Sequence, residues 1–185
     1  MATRKKADTK KERSAAEVKR IADQVEAEIA QQRQKLEKRG QTFVGLNREE
    51  IDAKLRRVNS PFISSESWNN TAPPGGSINY TVGVFNPDPF GWSNLAVAVA
   101  IGNRNPIVSN DVFLTEYDAR FATLAQPFTL GFSLAPGAST SFNFTVRIPA
   151  GIEKTGYFGN TVLQQLSFLD VGKVLDRACF FFGVV

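Results

Sequence analysis

The sequence contains no histidine, a single cysteine (Cys179) and no apolar run long enough to cross a bilayer. Without histidine the most common general base and metal ligand are missing, and a Ser-His-Asp triad is excluded. One cysteine permits no internal disulfide, and Cys179 lies in an apolar segment that predicts an inert thiol. No phosphate-binding glycine motif is present either. We therefore expect no enzyme activity, no cofactor, no metal site and no transmembrane helix.

Charged and aromatic residues are unevenly distributed along the chain. Residues 1–57 hold 16 Lys and Arg against 10 Asp and Glu, whereas 14 of the 15 Phe lie in residues 58–185. This contrast predicts regions with separate roles. We expect four segments, namely a disordered basic arm at 1–13, an amphipathic or coiled-coil helix at 14–40, a hinge and short helix at 41–59, and a β domain at 60–185.

The basic arm at residues 1–13 has too little apolar surface to fold by itself. Its start has no apolar segment of the kind that a secretory signal requires, so we expect a cytoplasmic protein or one that joins a particle assembled in the cytoplasm. The cations of the arm either contact nucleic acid by neutralising phosphates or form a solvated tail. They are Arg4, Lys5, Lys6, Lys10, Lys11 and Arg13.

The next segment predicts a helix that begins after Ser14 and ends before Gly40. Ser14 and Glu17 fit a capping box, and glycine is common just after a helix. Apolar residues spaced by four and three positions define a narrow heptad seam, with a glutamine in its one gap. We expect this seam either to oligomerise the chain as a short coiled coil, or to dock the helix on the β domain or on a neighbouring protein. The seam residues are Val18, Ala22, Val25, Ile29 and Leu36.

A second, shorter helix is predicted after a hinge at 41–45. Asn47 and Glu50 fit its capping box, and Leu46 with Ile51 fit a hydrophobic staple. We expect this helix to pack where the first helix meets the β domain. Its apolar positions are Ile51, Leu55 and Val58.

Strand signals begin at Pro61 and are clearest between Phe132 and Gly151. Apolar and polar residues alternate on both sides of Pro136 and Gly137, which is the period of a strand with one buried face. Pro-Gly predicts a turn, so the two runs predict a β-hairpin. The alternating apolar residues are Phe132, Leu134, Phe142, Phe144, Val146 and Ile148.

Further strands are predicted along the rest of the β domain. Short, regular spacing between turn signals is typical of two antiparallel sheets. The expected fold is mainly β: an Ig-like antiparallel β-sandwich of seven to eight strands, preceded by a coiled-coil-like helical extension. The predicted strands are an edge strand at 61–68 and strands at 77–85, 95–101, 112–114, 120–124, 156–169 and 174–185.

Three segments carry a resemblance to a known family. They are Asn79–Pro87, which ends in Asn-Pro; Leu134–Ser139, which contains Pro-Gly; and Phe142–Gly151, which ends in Pro-Ala-Gly. Residues 70–169 resemble the bacterial and archaeal Ig-like β-sandwiches of the CARDB or NPCBM-associated type. The resemblance implies this fold and a spacer, adhesive or assembly module, but no particular ligand.

Two apolar features of the β domain are candidate binding surfaces. Phe90 and Trp92 lie in a proline-rich loop, where they either anchor a ligand or fold back on the domain. The C-terminal residues Phe180, Phe181 and Phe182 show no alternation, so both faces of their strand require burial, and a bare edge of this kind would aggregate. We expect that edge to be covered in an assembly.

The predicted function is that of a non-enzymatic structural or adaptor subunit in a larger assembly, such as a virion or a phage-tail-like particle. The chain would oligomerise or dock through its N-terminal helix and present the β-sandwich to other subunits. One alternative is a coat-type protein whose basic arm binds nucleic acid. The other is a carbohydrate- or ligand-binding module that uses Trp68, Phe90 and Trp92.

Overall fold

The computed structural model describes residues 13–57, 59–102, 119–122, 128–166 and 173–185. The chain is mainly β, with two sheets and an N-terminal helical segment, as the sequence predicts. In chain order the elements are α1 (Ala15–Glu37), β1 (Thr42–Gly45), α2 (Arg48–Arg57), β2 (Phe62–Trp68), β3 (Thr71–Ala72), β4 (Ser77–Phe85), β5 (Trp92–Gly102), α3 (Ala119–Ala122), β6 (Phe128–Leu134), β7 (Ser139–Arg147), β8 (Gly156–Gln165) and β9 (Lys173–Val184).

The strands form two sheets whose members are interleaved in the chain. The first sheet has the order β1-β2-β4-β7, and the second has the order β3-β9-β8-β5-β6. Within these sheets the short pair of β3 with β9 is parallel, and the other pairs are antiparallel. The longest registers join β4 to β7 in the first sheet and β8 to β9 in the second.

The main core lies between the two sheets. Alternate residues of a strand point to one face, so the predicted alternation in 77–85 and 95–101 places one set of side chains inside. The ring of Tyr80 in β4 stacks on Phe180 in β9, with centroids 4.3 Å apart. Trp68 in β2 packs on the same Phe180 ring at 5.6 Å. Aromatic contacts across the gap therefore join the sheets.

Both long helices have their predicted N-terminal caps. The Ser14 hydroxyl accepts a hydrogen bond from the backbone N–H of Glu17 at 3.2 Å. At the start of α2, the backbone N–H of Asn47 donates to the Glu50 carboxylate at 2.9 Å, and the Glu50 N–H donates to the Asn47 side-chain oxygen at 3.0 Å. This reciprocal pair is a capping box.

Helices α1 and α2 pack on the outer face of the first sheet and form a second core there. The rings of Phe62 in β2 and Phe85 in β4 lie 5.8 Å apart at its base. Farther along α1, the Ser65 hydroxyl donates to the Gln32 side-chain oxygen at 2.6 Å. The buried residues of this cluster are Val18, Ile21, Ala22, Val25, Ile29, Ile51, Leu55, Phe62 and Phe85.

The predicted hairpin between Phe132 and Gly151 is wrong in its pairing, although its turn is present. The Ala138 N–H donates to the Ala135 carbonyl at 3.2 Å, and Gly137 has a φ of 64°, which glycine adopts readily. However, β6 pairs with β5 in the second sheet, whereas β7 pairs with β4 in the first. The chain therefore crosses between sheets at this turn. Alternation identifies the buried face of a strand but not its neighbour.

Other local predictions are also corrected. The segment predicted as a hinge at 41–45 contains β1, which pairs with β2. The predicted edge strand at 61–68 consequently has neighbours on both sides. A strand predicted at 120–124 begins instead within the short helix α3. Outside the described residues lie the predicted strand at 112–114, the end of the strand predicted at 156–169, and Val58.

Gly159 in β8 provides a test of the core between the sheets. A Cβ there would lie 2.1 Å from ring atoms of Phe180. We expect Gly159→Ala to lower the free energy of unfolding by about 1–3 kcal/mol, because overpacking forces core side chains out of their preferred rotamers. At Gly151 a Cβ would meet nothing within 4 Å, so Gly151→Ala should not destabilise the protein. Urea unfolding of both variants is the measurement, and equal effects would contradict the prediction.

Candidate functional site

The predicted seam of α1 faces the chain's own first sheet. Val18, Ala22, Val25 and Ile29 belong to the cluster that also contains Phe62 and Phe85, and Leu36 is buried as well. The seam thus docks the helix within the chain, which is one of its two predicted roles. The coiled-coil expectation finds no support, because the surface that a partner helix would need is already filled.

Arg13, predicted as part of a nucleic-acid-binding arm, is instead part of a buried ion pair. Its guanidinium lies 2.5 Å from the Asp88 carboxylate, and the two side chains are 5% and 1% exposed. The same guanidinium donates to the backbone carbonyl of Leu55 at 2.7 Å. Arg13 therefore ties the start of α1 to α2 and to the loop after β4. Outside the described residues lie the other predicted arm residues, Arg4, Lys5, Lys6, Lys10 and Lys11.

The loop between β4 and β5 is held by two of its polar side chains. The Asn86 side-chain amide donates to the carbonyls of Phe90 and Ala135 at 3.0 and 2.9 Å, and its oxygen accepts from the Asp88 N–H at 3.0 Å. The second Asp88 carboxylate oxygen accepts from the Trp92 indole N–H at 2.8 Å. The Asn-Pro segment of the family resemblance thus joins the end of β4 to the crossover turn.

The predicted binding aromatics have different surroundings. Trp92 packs partly against the core, whereas the Phe90 side chain, 5.9 Å away between ring centroids, is 53% exposed. Trp68 is buried, and its indole N–H donates to the Phe181 carbonyl at 2.8 Å. Both tryptophans therefore hold strands and loops in place. Of the three residues predicted for a carbohydrate site, Phe90 alone is an exposed ring.

The Arg13–Asp88 pair predicts a strong and local stability effect. We expect Arg13→Met to lower the free energy of unfolding by about 3–5 kcal/mol, because it leaves the buried Asp88 carboxylate without its counter-ion. Arg20→Met is the matched control, since Arg20 is exposed and lies seven residues after Arg13, about two turns along the same helix region. Denaturant unfolding followed by tryptophan fluorescence measures both variants. An Arg13→Met variant as stable as Arg20→Met would show that the pair contributes little.

A carboxylate in the main core, Glu66, is absent from the predicted site residues. It lies on β2, is buried, and accepts a hydrogen bond from the Tyr80 hydroxyl at 2.5 Å. The Tyr80 oxygen is in turn 2.5 Å from the Thr161 hydroxyl on β8. Because Tyr80 has one hydroxyl proton and gives it to Glu66, Thr161 donates to Tyr80. The three side chains form a polar chain that spans both sheets.

The low-polarity surroundings change the acidity of this cluster. Burial raises the pKa of Glu66 to about 7, against the opposing effect of its hydrogen bonds and of Lys54, while Asp176 adds to the rise. Burial also raises the pKa of Tyr80 well above its usual range. Burial also raises the pKa of the partly buried Cys179 thiol, to about 11.

Glu66 predicts a specific pH dependence of stability. Its pKa is higher in the folded chain, about 7, than its ordinary value of 4.5, so the folded state holds the proton over this interval and stability falls as pH rises through it. The loss amounts to about 3 kcal/mol. We expect Glu66→Gln to remove this loss of stability. The unfolding free energy of the wild type should therefore fall relative to that of the variant between pH 4.5 and 7. Parallel stability curves would contradict this assignment.

The predicted assembly edge at the C-terminus is split between two faces. Phe180 and Phe182 point into the core and are buried, whereas Phe181 points outward and is 51% exposed. The strand β9 pairs with β8 along its length and with β3 near its end. The sequence predicts an edge that is covered in an assembly. Among the described residues, β8 covers one side of β9 along its length, whereas β3 covers the other side at Gly183 and Val184. The three consecutive phenylalanines therefore alternate between the two faces of the sheet, as in an ordinary strand.

A basic cleft of about 540 Å³ lies between the start of α1 and α2. Among the described residues, three of its cations are exposed and have no ion pair: Lys19, Arg56 and Arg57. Its other cations have partners, since Arg13 pairs with Asp88 and Arg48 lies 2.6 and 2.8 Å from Asp23 and Glu26. The charged residues that line the cleft are Arg13, Lys19, Arg48, Arg56, Arg57 and Asp52.

Glu66 and the basic cleft differ in how far the sequence indicates them. Glu66 carries no local signal, because it resembles a surface residue of an alternating strand. The cations of the basic cleft come from two helices, and their proximity depends on how α1 packs on α2. A weak signal was present for the cleft, since α2 ends with the adjacent residues Arg56 and Arg57.

Neither a metal centre nor a membrane span is found in the described part of the chain. Within the ranges given above, no three Cys, Asp or Glu side chains are grouped so that they would hold a metal ion. The helices in those ranges include none that is long and apolar enough to cross a membrane.

Comparison with known proteins finds distant similarity to solved structures at low sequence identity. No family model matches the chain, and no curated protein matches it in sequence. Among solved structures, the sporulation control protein Spo0M from Bacillus subtilis is 13% identical with a TM-score of 0.42, and the match covers 69% of this chain and 50% of Spo0M. The chain thus spans half the length of Spo0M. The likeness concerns the fold alone.

Two further solved structures are similar in the same distant way. A CARDB domain from Pyrococcus furiosus is 16% identical with a TM-score of 0.39, and the match covers 68% of this chain and 90% of that domain. The C-terminal domain of wzt is 11% identical with a TM-score of 0.47, and the match covers 78% of each chain. One of these similar structures is thus a CARDB domain, the type that residues 70–169 resemble in sequence.

Proposed function

We propose that this chain is a structural or adaptor subunit of a multi-subunit assembly, and that its two sheets form an Ig-like β-sandwich with a docking face on the second sheet. The observation that carries the proposal is the unequal cover of the two sheets. Helices α1 and α2 cover the outer face of the first sheet. The outer face of the second sheet has no comparable cover from the described helices, and Phe181 protrudes from it.

The docking face is defined by the outward side chains Phe158 and Phe181 on β8 and β9. Their rings lie 5.1 Å apart. The Phe181 ring also lies over Gly156, where a Cβ would come within 2.4 Å of it. Neighbours on both sides therefore restrict the Phe181 ring, which lowers the entropy that it loses on binding. Exposed, ordered aromatic rings of this kind are enriched at the centres of protein interfaces.

The use of partly buried charged groups supports a framework role. Asp176 in β9 accepts hydrogen bonds from the Lys54 ammonium of α2 at 2.6 Å and from the backbone N–H of Ile63 in β2 at 2.8 Å. It thus links a helix and both sheets. Together with the Arg13–Asp88 pair, this arrangement commits charged side chains to holding elements together. A rigid frame with one exposed aromatic face suits a subunit that docks on another.

The partner to which we assign the docking face is a second copy of the chain. In a two-fold dimer the same patch meets itself, so the Phe181 rings of two copies would face each other across the axis. This route replaces the coiled coil predicted from the α1 seam, which is used within the chain. The proposed partners are the same as those expected from the sequence, namely further copies of the chain and other subunits of the assembly.

Sedimentation velocity at increasing protein concentration tests self-association through this face. We expect the wild type to form a dimer, and Phe181→Ser to weaken the dimer by about 30-fold, since truncation of an interface anchor costs about 2 kcal/mol or more. The matched control is Phe90→Ser, because the Phe90 ring is 53% exposed, against 51% for Phe181, and lies in a different part of the fold. A monomeric wild type, or equal effects of the two substitutions, would overturn self-docking through Phe181.

A further inference from the structure

We propose that the basic cleft between α1 and α2 binds the phosphate groups of a nucleic-acid backbone. The proposal is independent of the docking face on the second sheet, which lies elsewhere on the fold. It rests on three cations without an ion pair among the described residues, on the shape of the cleft, and on the chemistry of its lining. Nucleic-acid binding that depends on phosphates is driven by cations that neutralise them and release counter-ions.

The two helices bring the three cations together at one end of the helical layer. Lys19 lies one turn into α1, while Arg56 and Arg57 lie in the last turn of α2. Ala15, the first residue of α1, also lines the cleft. The N-terminal end of a helix carries a partial positive charge from its unpaired N–H groups, which favours an anion there. The C-terminal end of α2, where Arg56 and Arg57 lie, carries the opposite partial charge, so the positive potential of the cleft comes mainly from the side chains.

The one carboxylate in the lining does not cancel this potential. Asp52 lies 3.4 Å from the Arg48 guanidinium, which also pairs with Asp23 and Glu26 on α1. Arg48 and its three acids therefore form a group with a net charge of −2 at one side of the cleft, and the positive potential lies on the side of the cations that are unpaired among the described residues. The exposed side chains of Lys19, Arg56 and Arg57 are left to meet a ligand.

The lining favours phosphate contacts over contacts to bases or to lipid. The residues that line the cleft include no aromatic side chain on which a base would stack, so binding should depend little on base sequence. Its apolar members Val18 and Leu55 are buried, so the cleft presents no protruding apolar side chain for insertion into a membrane.

The position of Arg13 adds a second argument for a polymeric anion. Arg13 lines the cleft and is fixed there by Asp88 and by the Leu55 carbonyl. The residues that precede it in the sequence therefore join the folded domain at the cleft. Five of them are cations, namely Arg4, Lys5, Lys6, Lys10 and Lys11. The sequence thus carries further positive charge directly before the residue that lines the cleft.

The test compares two triple substitutions in the full chain that remove the same charge. The first replaces Lys19, Arg56 and Arg57 by Gln, and the control replaces Lys35, Lys38 and Arg39 by Gln at the other end of α1. All six side chains are exposed, so both proteins should keep the fold. Circular dichroism verifies this. Lys35 lies about 24 Å from Lys19 along the helix axis.

Fluorescence anisotropy with labelled double-stranded DNA of two unrelated sequences, over a series of salt concentrations, gives the readout. We expect the cleft triple to bind about 100-fold more weakly at 0.1 M salt, and to lower the slope of log affinity against log salt by about 2 to 3. The control triple should stay close to the wild type. The two DNA sequences should bind alike.

Several outcomes would overturn the proposal. Equal loss in both triples would show that net charge alone attracts DNA, and a wild type that binds no DNA at low salt would exclude the interaction. A parallel measurement uses vesicles of phosphatidylcholine with phosphatidylserine. If the cleft triple lost binding to these vesicles but kept its affinity for DNA, the cleft would be a membrane site and the proposal would be wrong.

Discussion

The burial of Phe62 and Phe85 beneath the two N-terminal helices is the contact on which the rest of the structure depends. It turns the apolar stripe of α1 toward the chain's own first sheet, so that surface is no longer free for a partner helix. It also brings α1 and α2 side by side, which forms the basic cleft at one end of the helical layer. Since the helices cover one sheet, the other sheet carries the exposed aromatic face.

Local features of the fold were predictable because short-range chemistry determines them. The caps at Ser14 and Asn47, the turn at Gly137 and the buried faces of β4 and β5 all follow from side chains a few residues apart. The pairing partners of the strands could not be predicted in this way. Strands β6 and β7 show the same alternation whether they pair with each other or with strands of different sheets. An interrupted helical seam likewise does not tell a coiled coil from a helix docked on a sheet.

Sites built from distant residues were less accessible from the sequence. Tyr80 is 14 positions from Glu66 and 81 positions from Thr161 along the chain. The hydrogen bonds that link these three side chains form only when the two sheets face each other. Arg13 looked like one cation of a basic arm, yet a buried aspartate more than seventy positions away holds it. Charge alone does not reveal this difference. Burial decides whether a basic residue serves the fold or meets a ligand.

The anchoring of Arg13 has a consequence for how strongly the chain would hold a polyanion. Because Arg13 is fixed at the edge of the basic cleft, the twelve residues before it in the sequence cannot reach farther than about 40 Å from that point. If the cleft holds a polyanion as proposed, contacts of that ligand with the preceding cations would be intramolecular, with an effective concentration in the millimolar range for a short tether. Weak binding at the cleft and at this segment would then combine into a higher overall affinity for the polyanion than either site has alone.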